Sequence, residues 1–276
     1  MKIAIVGLGL IGGSMARRLI KQGHEITGVD VDESVLNTAK SKGIITHSAT
    51  SGEAAIADAD VTILCLYFDI AIEFLRKNGH NFKRGSILTD CTGVKTPLMK
   101  LCETLEMNAV YVGMHPMAGL EKCGFEQSSE HLFDEANFLI TPSNGAMEAQ
   151  INIVEALARE LNCGKITRCT PEEHDKMVAY TSQLPHVLAA CICNSPNFGR
   201  HKSFVGNSFA DYTRIACINE EMWSQLFVRN MPSLVEAISL LTDELSIVRD
   251  MLVREDEGQL REYLRKVREK YEAVYY

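Results

Sequence analysis

One histidine of the chain stands in a stretch that could hold an acid–base group still. His115 lies between Gly113 and Pro116 in the segment GMHPMAG, just after an apolar run that is typical of a strand. Proline fixes its own φ at about −65°, and glycine reaches backbone conformations that are closed to other residues. Histidine is a common general base, but a loop histidine that only bonds a backbone carbonyl is equally common. His115 is therefore a candidate catalytic residue, with both interpretations open at this point.

A second group of polar residues follows at helical spacing within residues 174–186. His174, Ser182 and His186 are separated by multiples of four residues, which puts them on one side of a helix with about 40° of drift per step. Ser182 and His186 are one turn apart, so we expect them to act together at a site. His174 stands near the start of the helix beside Asp175, and we expect it to be a structural residue.

Two further residues of this half affect the shape and charge of such a site. Pro185 lacks an amide hydrogen, so it should kink the helix and free the carbonyl of Thr181. Arg214 lies in the mildly apolar segment SFADYTRIA, and a guanidinium there suits bidentate binding of a carboxylate. An ion pair with Asp211 is the structural alternative for this arginine.

A glycine-rich loop near the start of the chain predicts a dinucleotide site. The apolar run at residues 2–6 leads directly into a GxGxxG pattern with a helical pattern behind it. Gly7 permits the tight turn, Gly9 lets the backbone approach a pyrophosphate, and Gly12 allows close packing of helix on strand. The pyrophosphate would sit at the helix N-terminus, where the dipole favours negative charge. The expected cofactor-binding residues are Gly7, Leu8, Gly9, Leu10, Ile11, Gly12 and Asp30.

Asp30 predicts which dinucleotide is bound. It ends a second strand-like run, residues 25–29, and lies eighteen residues beyond Gly12. An acidic side chain at this distance accepts hydrogen bonds from the adenine ribose hydroxyls and repels a 2′-phosphate. We therefore expect NAD rather than NADP, with Asp32 as a weaker candidate for the same role.

Length and composition limit the class of protein. A chain of 276 residues with 46% hydrophobic and 23% charged residues is typical of one or two globular domains. The net charge of −8 argues against a nucleic-acid partner, although one arginine suffices for a small anion. No apolar run approaches the roughly 18 residues of a membrane span. We expect no signal peptide, reduced thiols and a cytoplasmic location, and the close spacing of Cys191 and Cys193 predicts no metal site.

The elements that must position these residues fall into two halves. Apolar runs alternate with helical patterns up to about residue 168, which predicts an α/β Rossmann domain with a doubly wound, mainly parallel sheet. Ligands bind at the carboxyl ends of such strands, so the His115 loop should lie on the side of the nicotinamide. The strands are expected at residues 2–6, 25–29, 60–66, 86–89, 109–112, 137–141 and 165–168.

The second half, residues 169–276, is predicted to be an all-α domain. Thr170 followed by Pro171 and two glutamates is a strong helix start. We expect this half to form a homodimer, because it carries an apolar stripe and cyclic dimers dominate among oligomers. The stripe comprises Leu234, Ile238, Leu241, Leu245, Val248 and Leu252. Domain boundaries are accordingly placed at 1–168 and 169–276.

Four motifs together, GLGLIGGS, GMHPMAG, HDKMVAYTSQLPH and SFADYTRIA, resemble the prephenate/arogenate dehydrogenase family of tyrosine biosynthesis. The resemblance covers nearly the whole chain. The chain is similar to the short monofunctional form, without a fused chorismate mutase or a regulatory ACT domain. The resemblance implies an NAD(P)-binding Rossmann domain and a helical dimerisation domain. It also implies oxidative decarboxylation of prephenate, a small dicarboxylate, to 4-hydroxyphenylpyruvate, CO2 and NADH.

The resemblance implies roles for individual residues. His115 corresponds to the histidine that bonds the 4-hydroxyl as hydride leaves, His186 to the second active-site histidine, and Arg214 to the carboxylate-binding arginine. Many members carry a serine where Gly93 stands, and neighbouring Thr92 is the candidate substitute for its hydroxyl. Gln183 stands where the family often has histidine, which argues against an essential imidazole there.

Three other functions stay open from the sequence. Arogenate dehydrogenase differs only in an amine on the substrate side chain, which an acid such as Asp211 could favour. A β-hydroxyacid dehydrogenase has a similar glycine loop but needs a catalytic lysine in a helix, and no such context is evident. A non-catalytic NAD-sensing dimer is the alternative from another class.

Overall fold

The computed structural model describes residues 1–120, 122–200 and 203–276. Its eight strands are β1 (Lys2–Val6), β2 (Glu25–Val29), β3 (His47–Ala49), β4 (Val61–Leu64), β5 (Ile87–Asp90), β6 (Val110–Pro116), β7 (Phe138–Pro142) and β8 (Ile166–Arg168). They form one sheet in the order β3-β2-β1-β4-β5-β6-β7-β8. Every neighbouring pair is parallel except β6 with β7. This is the predicted doubly wound, mainly parallel sheet.

The sheet is covered on both faces, which explains why its central strands are apolar throughout. In β1, Ile3 and Ile5 face one buried cluster while Ala4 and Val6 face the other. The helices that follow the strands are α1 (Leu10–Lys21), α2 (Glu33–Ser41), α3 (Glu53–Asp58), α4 (Phe68–Asn78), α5 (Thr96–Thr104) and α6 (Glu148–Glu160). The first cluster includes residues of α1 and α6, and the second includes residues of α3, α4 and α5.

Strand β6 corrects the predicted His115 loop. The strand does not stop at Val112 but continues through His115 to Pro116, where the antiparallel strand β7 pairs with it. Gly113 serves this pairing by its lack of a side chain, because a Cβ there would lie 2.4 Å from Oγ1 of Thr141. The pairing partner lies more than twenty residues further along the chain. His115 is therefore held by a strand ladder rather than by a loop.

Every element that the structure describes after β8 is helical, as predicted. These elements are α7 (Pro171–Val178), a π-helical turn (Ala179–Gln183), α8 (Leu184–Cys193), α9 (Asn207–Arg214), α10 (Glu220–Arg229), α11 (Met231–Val253) and α12 (Glu257–Tyr275). Thr170 caps α7 by accepting the Glu173 amide hydrogen bond at 3.1 Å, which confirms the predicted helix start. No helix in the described part of the chain combines the length and apolar character needed to cross a membrane.

The chain divides into two compact units, Met1–Asn230 and Met231–Tyr276. The first contains the sheet and helices α1 to α10. The second consists of α11 and α12, which pack against each other and share a hydrogen bond of 2.9 Å from Tyr263 to Glu244. The predicted boundary at residue 168 stays a prediction.

The π-helical turn stands where a proline kink was expected. Leu184 donates its amide hydrogen to the Ala179 carbonyl five residues earlier, which widens the helix by one residue. Pro185 lies in the first turn of α8, directly after this widening. The missing amide hydrogen of the proline therefore falls at the start of a new helix. π-turns of this kind are frequent at functional sites.

Candidate functional site

The glycine loop between β1 and α1 is built almost wholly from backbone. Gly7 has a φ of 91°, and a Cβ there would lie 2.5 Å from the Cys65 carbonyl oxygen. A Cβ on Gly12 would lie 1.9 Å from the Gly7 carbonyl oxygen. At Gly9, by contrast, a Cβ would meet nothing within 4 Å. Gly7 and Gly12 are thus required by the loop itself, while Gly9 leaves open space at the N-terminus of α1.

Asp30 ties this loop to the neighbouring strand. It lies just after β2, and its Oδ2 accepts the Leu8 amide hydrogen bond at 2.7 Å. Its Oδ1 accepts from the amide of Asp32 at 3.0 Å. The Asp32 side chain caps α2 instead, accepting from the amides of Ser34 and Val35. Asp30 is therefore the carboxylate in contact with the glycine loop, and Asp32 has a structural task.

A chain of contacts leads from the glycine loop to His115 across the ends of three strands. The sulfur atoms of Cys65 and Cys91, just after β4 and β5, are 3.7 Å apart. Cys91 also contacts Sδ of Met15 on α1 at 3.9 Å. Two residues on, a Cβ at Gly93 would lie 3.9 Å from Cε1 of His115. The glycine loop and His115 thus lie at the same edge of the sheet, as the topology predicted.

His115 bonds a second histidine that sequence reasoning had set aside. Its Nδ1 is 2.9 Å from Nε2 of His174, and Nδ1 of His174 is 2.8 Å from Oδ1 of Asp175. His174 and Asp175 are almost completely buried, while His115 is half-buried. His174 is thus more than a structural residue of α7, because it touches the candidate base directly. The adjacent His–Asp pair in HDKMVAY was the available sequence evidence.

Asp175 is itself fixed at the start of another helix. Its Oδ1 accepts from the Lys95 amide at 2.7 Å and its Oδ2 from the Thr96 amide at 2.8 Å, at the N-terminus of α5. Burial alone would raise the pKa of Asp175, but the hydrogen bonds from His174, Lys95 and Thr96 outweigh burial and lower it. The positive end of the helix dipole favours the same ionised form. Asp175 is therefore a buried carboxylate.

A buried ion pair lies under His115. The Lys95 ammonium donates to Oδ2 of Asp90 at 2.7 Å and to the Met114 carbonyl at 2.5 Å, and both charged side chains are fully buried. Tyr111 donates its hydroxyl to the other oxygen of Asp90 at 2.6 Å. Burial and the Asp90 charge hold the pKa of Tyr111 well above its ordinary value. The ion pair fixes the backbone just before His115 and was not predicted from the sequence.

Both histidines favour their neutral forms. Desolvation, followed by repulsion from His174 and Lys95, holds the pKa of His115 well below its ordinary value. Desolvation also lowers the pKa of His174, and the hydrogen bond to Asp175 offsets only part of that effect. A neutral His115 can accept a proton, which is the state a general base requires.

His186 is connected to the surroundings of His115 by contacts with helix α10. Its Nδ1 lies 2.7 Å from the Ser182 carbonyl, and its ring stacks on Trp223 with centroids 3.9 Å apart. One turn further along α10, Leu226 lies 3.3 Å from the position of a Cβ on Gly93, beside His115. Trp223, which contacts His186, and Leu226, which lies beside Gly93, are therefore one turn of α10 apart. Ser182 contacts His186 through its carbonyl rather than its hydroxyl.

The other predicted residues are less directly placed. Thr92 is buried, and its hydroxyl lies within hydrogen-bond distance of two nearby acceptors, Oδ2 of Asp90 and the Val94 carbonyl. Gln183 is buried and accepts from Asn230 at 2.9 Å, which gives it a structural task. Arg214 is exposed in the last turn of α9, a helix that packs against α8.

The loop geometry fits a dinucleotide. The absent Cβ at Gly9 leaves space for a pyrophosphate, the first amides of α1 are free of intrahelical partners, and Asp30 lies at the end of β2. Within the described ranges, no group of three or more histidine, cysteine or acidic residues could hold a metal ion. A parallel sheet with this loop and a neutral histidine on the same edge is the architecture of a dinucleotide-dependent dehydrogenase.

Two sequence models of one family match the chain. The model described as "Prephenate dehydrogenase, nucleotide-binding domain" matches residues 15–167, and the one described as "Prephenate dehydrogenase, dimerization domain" matches residues 170–266. The chain belongs to the prephenate dehydrogenase family.

Individual relatives agree with this assignment. A prephenate dehydrogenase of Bacillus subtilis is 26% identical over 97% of this chain and 74% of its own length. A cyclohexadienyl dehydrogenase of Zymomonas mobilis is 26% identical over 96% of this chain and 92% of its own. A crystal structure of Aquifex aeolicus prephenate dehydrogenase, in complex with hydroxyphenyl propionate and NAD+, matches with a TM-score of 0.88 and 29% identity. It covers 99% of this chain and 97% of that one.

Proposed function

We propose that this chain catalyses the NAD-dependent oxidative decarboxylation of prephenate to 4-hydroxyphenylpyruvate, CO2 and NADH, a step of tyrosine biosynthesis. The family assignment supports this reaction, as does the likeness to an enzyme bound to NAD+ and a hydroxyphenyl compound. The carboxylate of Asp30 supports NAD over NADP, because it would repel a 2′-phosphate. Gly7, Leu8, Gly9, Leu10, Ile11 and Gly12 would hold the cofactor with Asp30.

The contact that carries the proposal is the pairing of His115 with His174. His174 occupies Nδ1 of His115, so Nε2 is the nitrogen left to accept from the ring hydroxyl of the substrate. Accepting that hydrogen bond raises electron density on the oxygen and so assists loss of hydride from the same carbon. NAD, when bound, supplies the hydride acceptor. Loss of the ring carboxylate as CO2 restores aromaticity, so the protein needs no separate group for that cleavage.

The helical residues would hold the substrate. His186, fixed by the Ser182 carbonyl and the Trp223 ring, directs its remaining nitrogen away from that carbonyl. Arg214 would bind a substrate carboxylate in a bidentate manner. Ser182 and Thr92 would border the pocket, Thr92 mainly through the loop that its hydroxyl stabilises.

One assay tests the reaction. The full chain supplied with NAD and prephenate should produce NADH, followed by absorbance, whereas a His115→Asn variant should not. His131→Asn is the matched control, because His131 is exposed and bonded to Asp134. A protein that binds NAD yet turns over neither prephenate nor arogenate would contradict the proposal and favour the non-catalytic sensor.

Arogenate is the second candidate substrate. One relative is named for the cyclohexadienyl ring rather than for prephenate, which favours a ring-specific site that tolerates either side chain. Comparing kcat/KM for prephenate and arogenate on the same preparation decides between them.

We also propose that the chain forms a homodimer through residues 169–276 and is cytoplasmic. The family model for residues 170–266 is described as a dimerization domain, which supports the first point. Leu245 and Leu252 of the predicted stripe are exposed in the single chain, so a second copy could cover them. Light scattering at several protein concentrations would test the mass, and a monomer throughout would contradict the dimer.

A further inference from the structure

We propose that His174 and Asp175 are positioning residues that fix the tautomer of His115, with hydrogen on Nδ1 and an accepting lone pair on Nε2. The identity of the substrate hydroxyl that Nε2 meets rests on the proposed function. The tautomer itself is a property of the free protein. It can therefore be measured whether or not that function holds.

The direction of hydrogen bonding starts at Asp175. Its carboxylate already accepts from the amides of Lys95 and Thr96, and an ionised carboxylate has no hydrogen to donate. His174 must therefore supply the hydrogen on its Nδ1 in the 2.8 Å contact with Oδ1 of Asp175. This assigns one nitrogen of His174 without reference to its charge.

The other nitrogen of His174 then determines the state of His115. A neutral imidazole carries one hydrogen, so Nε2 of His174 is an acceptor when Nδ1 is the donor. In the 2.9 Å contact with His115, the hydrogen must then belong to Nδ1 of His115. The second hydrogen position of His115 is empty, and its Nε2 holds a lone pair. One buried carboxylate thus orders two imidazole rings in series.

A single alternative gives the opposite result. If His174 were a cation, Nδ1 of His115 would accept the hydrogen bond and Nε2 of His115 would carry the hydrogen. His115 could then not act as a base through Nε2. The surroundings oppose this arrangement, because His174 is fully buried and the Lys95 ammonium lies under the neighbouring strand. The charged groups around the two rings are Asp175, Lys95 and Asp90, and the Asp90 charge is already paired with Lys95.

The same arrangement assists the reaction. As the substrate hydroxyl shifts its proton toward Nε2, positive charge develops on the His115 ring. The hydrogen bond from Nδ1 to His174 becomes charge-assisted and strengthens, with the Asp175 carboxylate behind it. In a serine-protease triad, a carboxylate likewise orients a histidine and stabilises its cation without itself becoming protonated. Here a second imidazole stands between carboxylate and base.

Nitrogen NMR of histidine-labelled protein tests the tautomer directly. Resonances of His115 are assigned by their loss in His115→Asn. In the free protein, we expect Nδ1 to show the shift of a protonated nitrogen and Nε2 that of an unprotonated one. In a His174→Leu variant, His115 should become a mixture of both tautomers. A hydrogen on Nε2 in the unaltered protein, or no change in the variant, would overturn the proposal.

Paired substitutions test the effect on turnover. His174→Gln keeps a carbonyl acceptor toward His115, while His174→Leu removes the acceptor at similar volume. With prephenate, we expect kcat to fall by about 10²–10⁴-fold in His174→Leu and by no more than about tenfold in His174→Gln. KM for NAD should be unchanged in both, because the glycine loop is not altered.

The control distinguishes positioning from structural support. Tm is measured for both variants and for His131→Gln and His131→Leu, which change an exposed histidine in the same two ways. Equal losses of kcat in the two His174 variants, tracking their Tm, would assign His174 a structural role only. Failure of the unaltered protein to turn over either prephenate or arogenate would refute the proposed function, while the NMR result would still decide the tautomer.

Discussion

The two parts of this site are built from different materials. The cofactor loop is made from consecutive residues, and its shape depends on where glycines leave the backbone uncovered. The acid–base part is made from side chains of β6 and α7, and its buried carboxylate is held by backbone amides at the start of α5. The first part tolerates no added Cβ at Gly7 or Gly12, and the second depends on hydrogen positions. The expected phosphate-binding loop thus lies at the same edge of the sheet as the residues that position the proton of His115.

The largest expected effect separates the two parts. His115→Asn removes the Nε2 acceptor but leaves the glycine loop untouched, so kcat should fall by about 10²–10⁴-fold while NAD binding is retained. Steady-state kinetics and fluorescence titration with NAD would measure the two quantities. Near-normal turnover would contradict the role of His115, and a parallel loss of NAD binding would show that the parts are not separable.

A pair of alanine substitutions divides the cofactor loop itself. Gly12→Ala places a Cβ against the Gly7 carbonyl, so we expect the free energy of unfolding to fall by about 3 kcal/mol or more. Gly9→Ala meets no protein atom, so stability should be unchanged while NAD binding weakens by about tenfold or more. Urea denaturation and NAD titration measure the two effects. Equal destabilisation by both changes would contradict the distinction.

Acid should lower the stability of the protein through the two histidines of the acid–base part. The pKa values of His115 and His174 are lowered in the folded state, so the unfolded chain binds more protons below the ordinary histidine pKa of about 6.5. The free energy of unfolding should therefore fall as pH drops below about 6.5, by up to roughly 1.4 kcal/mol per pH unit for each histidine. Urea denaturation across this pH range tests the prediction. His174→Gln should remove the contribution of His174 to the pH dependence of the free energy of unfolding.

The smallest expected effect concerns the family serine. Gly93→Ser would add a hydroxyl near His115, and its Cβ would require Leu226 to move by a few tenths of an ångström. One added hydrogen bond is worth about 0.5–1.5 kcal/mol, so kcat should rise by no more than about tenfold. Gly93→Ala is the matched control because it adds the Cβ alone. Identical kinetics for the two variants would show that the hydroxyl contributes nothing.

Much of the first part follows from local sequence. β1, the glycines and the aspartate that follows β2 lie within the first thirty positions, and each carries its own structural requirement. The edge strand β3 was missed because its residues, His47 to Ala49, are largely exposed and form no apolar run. Exposed elements leave weaker patterns than buried ones.

The second part follows only from tertiary contacts. His115 and His174 are 59 residues apart, and the Asp175 carboxylate meets the Lys95 amide across 80 residues. The extension of β6 through His115 depends on pairing with β7. The residues were recognisable as candidates from their motifs, but no spacing along the chain indicates which nitrogen faces which partner.

The π-helical turn of residues 179–183 changes the direction in which all later side chains of the helix point. Each residue of an α-helix rotates the chain by about 100°, so one residue more or less shifts the facing of all later side chains by that angle. The widened turn therefore sets the orientation of His186 relative to His174, and its Ser182 carbonyl also bonds the His186 ring. Loss of a single residue here would restore a regular helix and preserve every downstream side chain. Those side chains would then face the wrong direction.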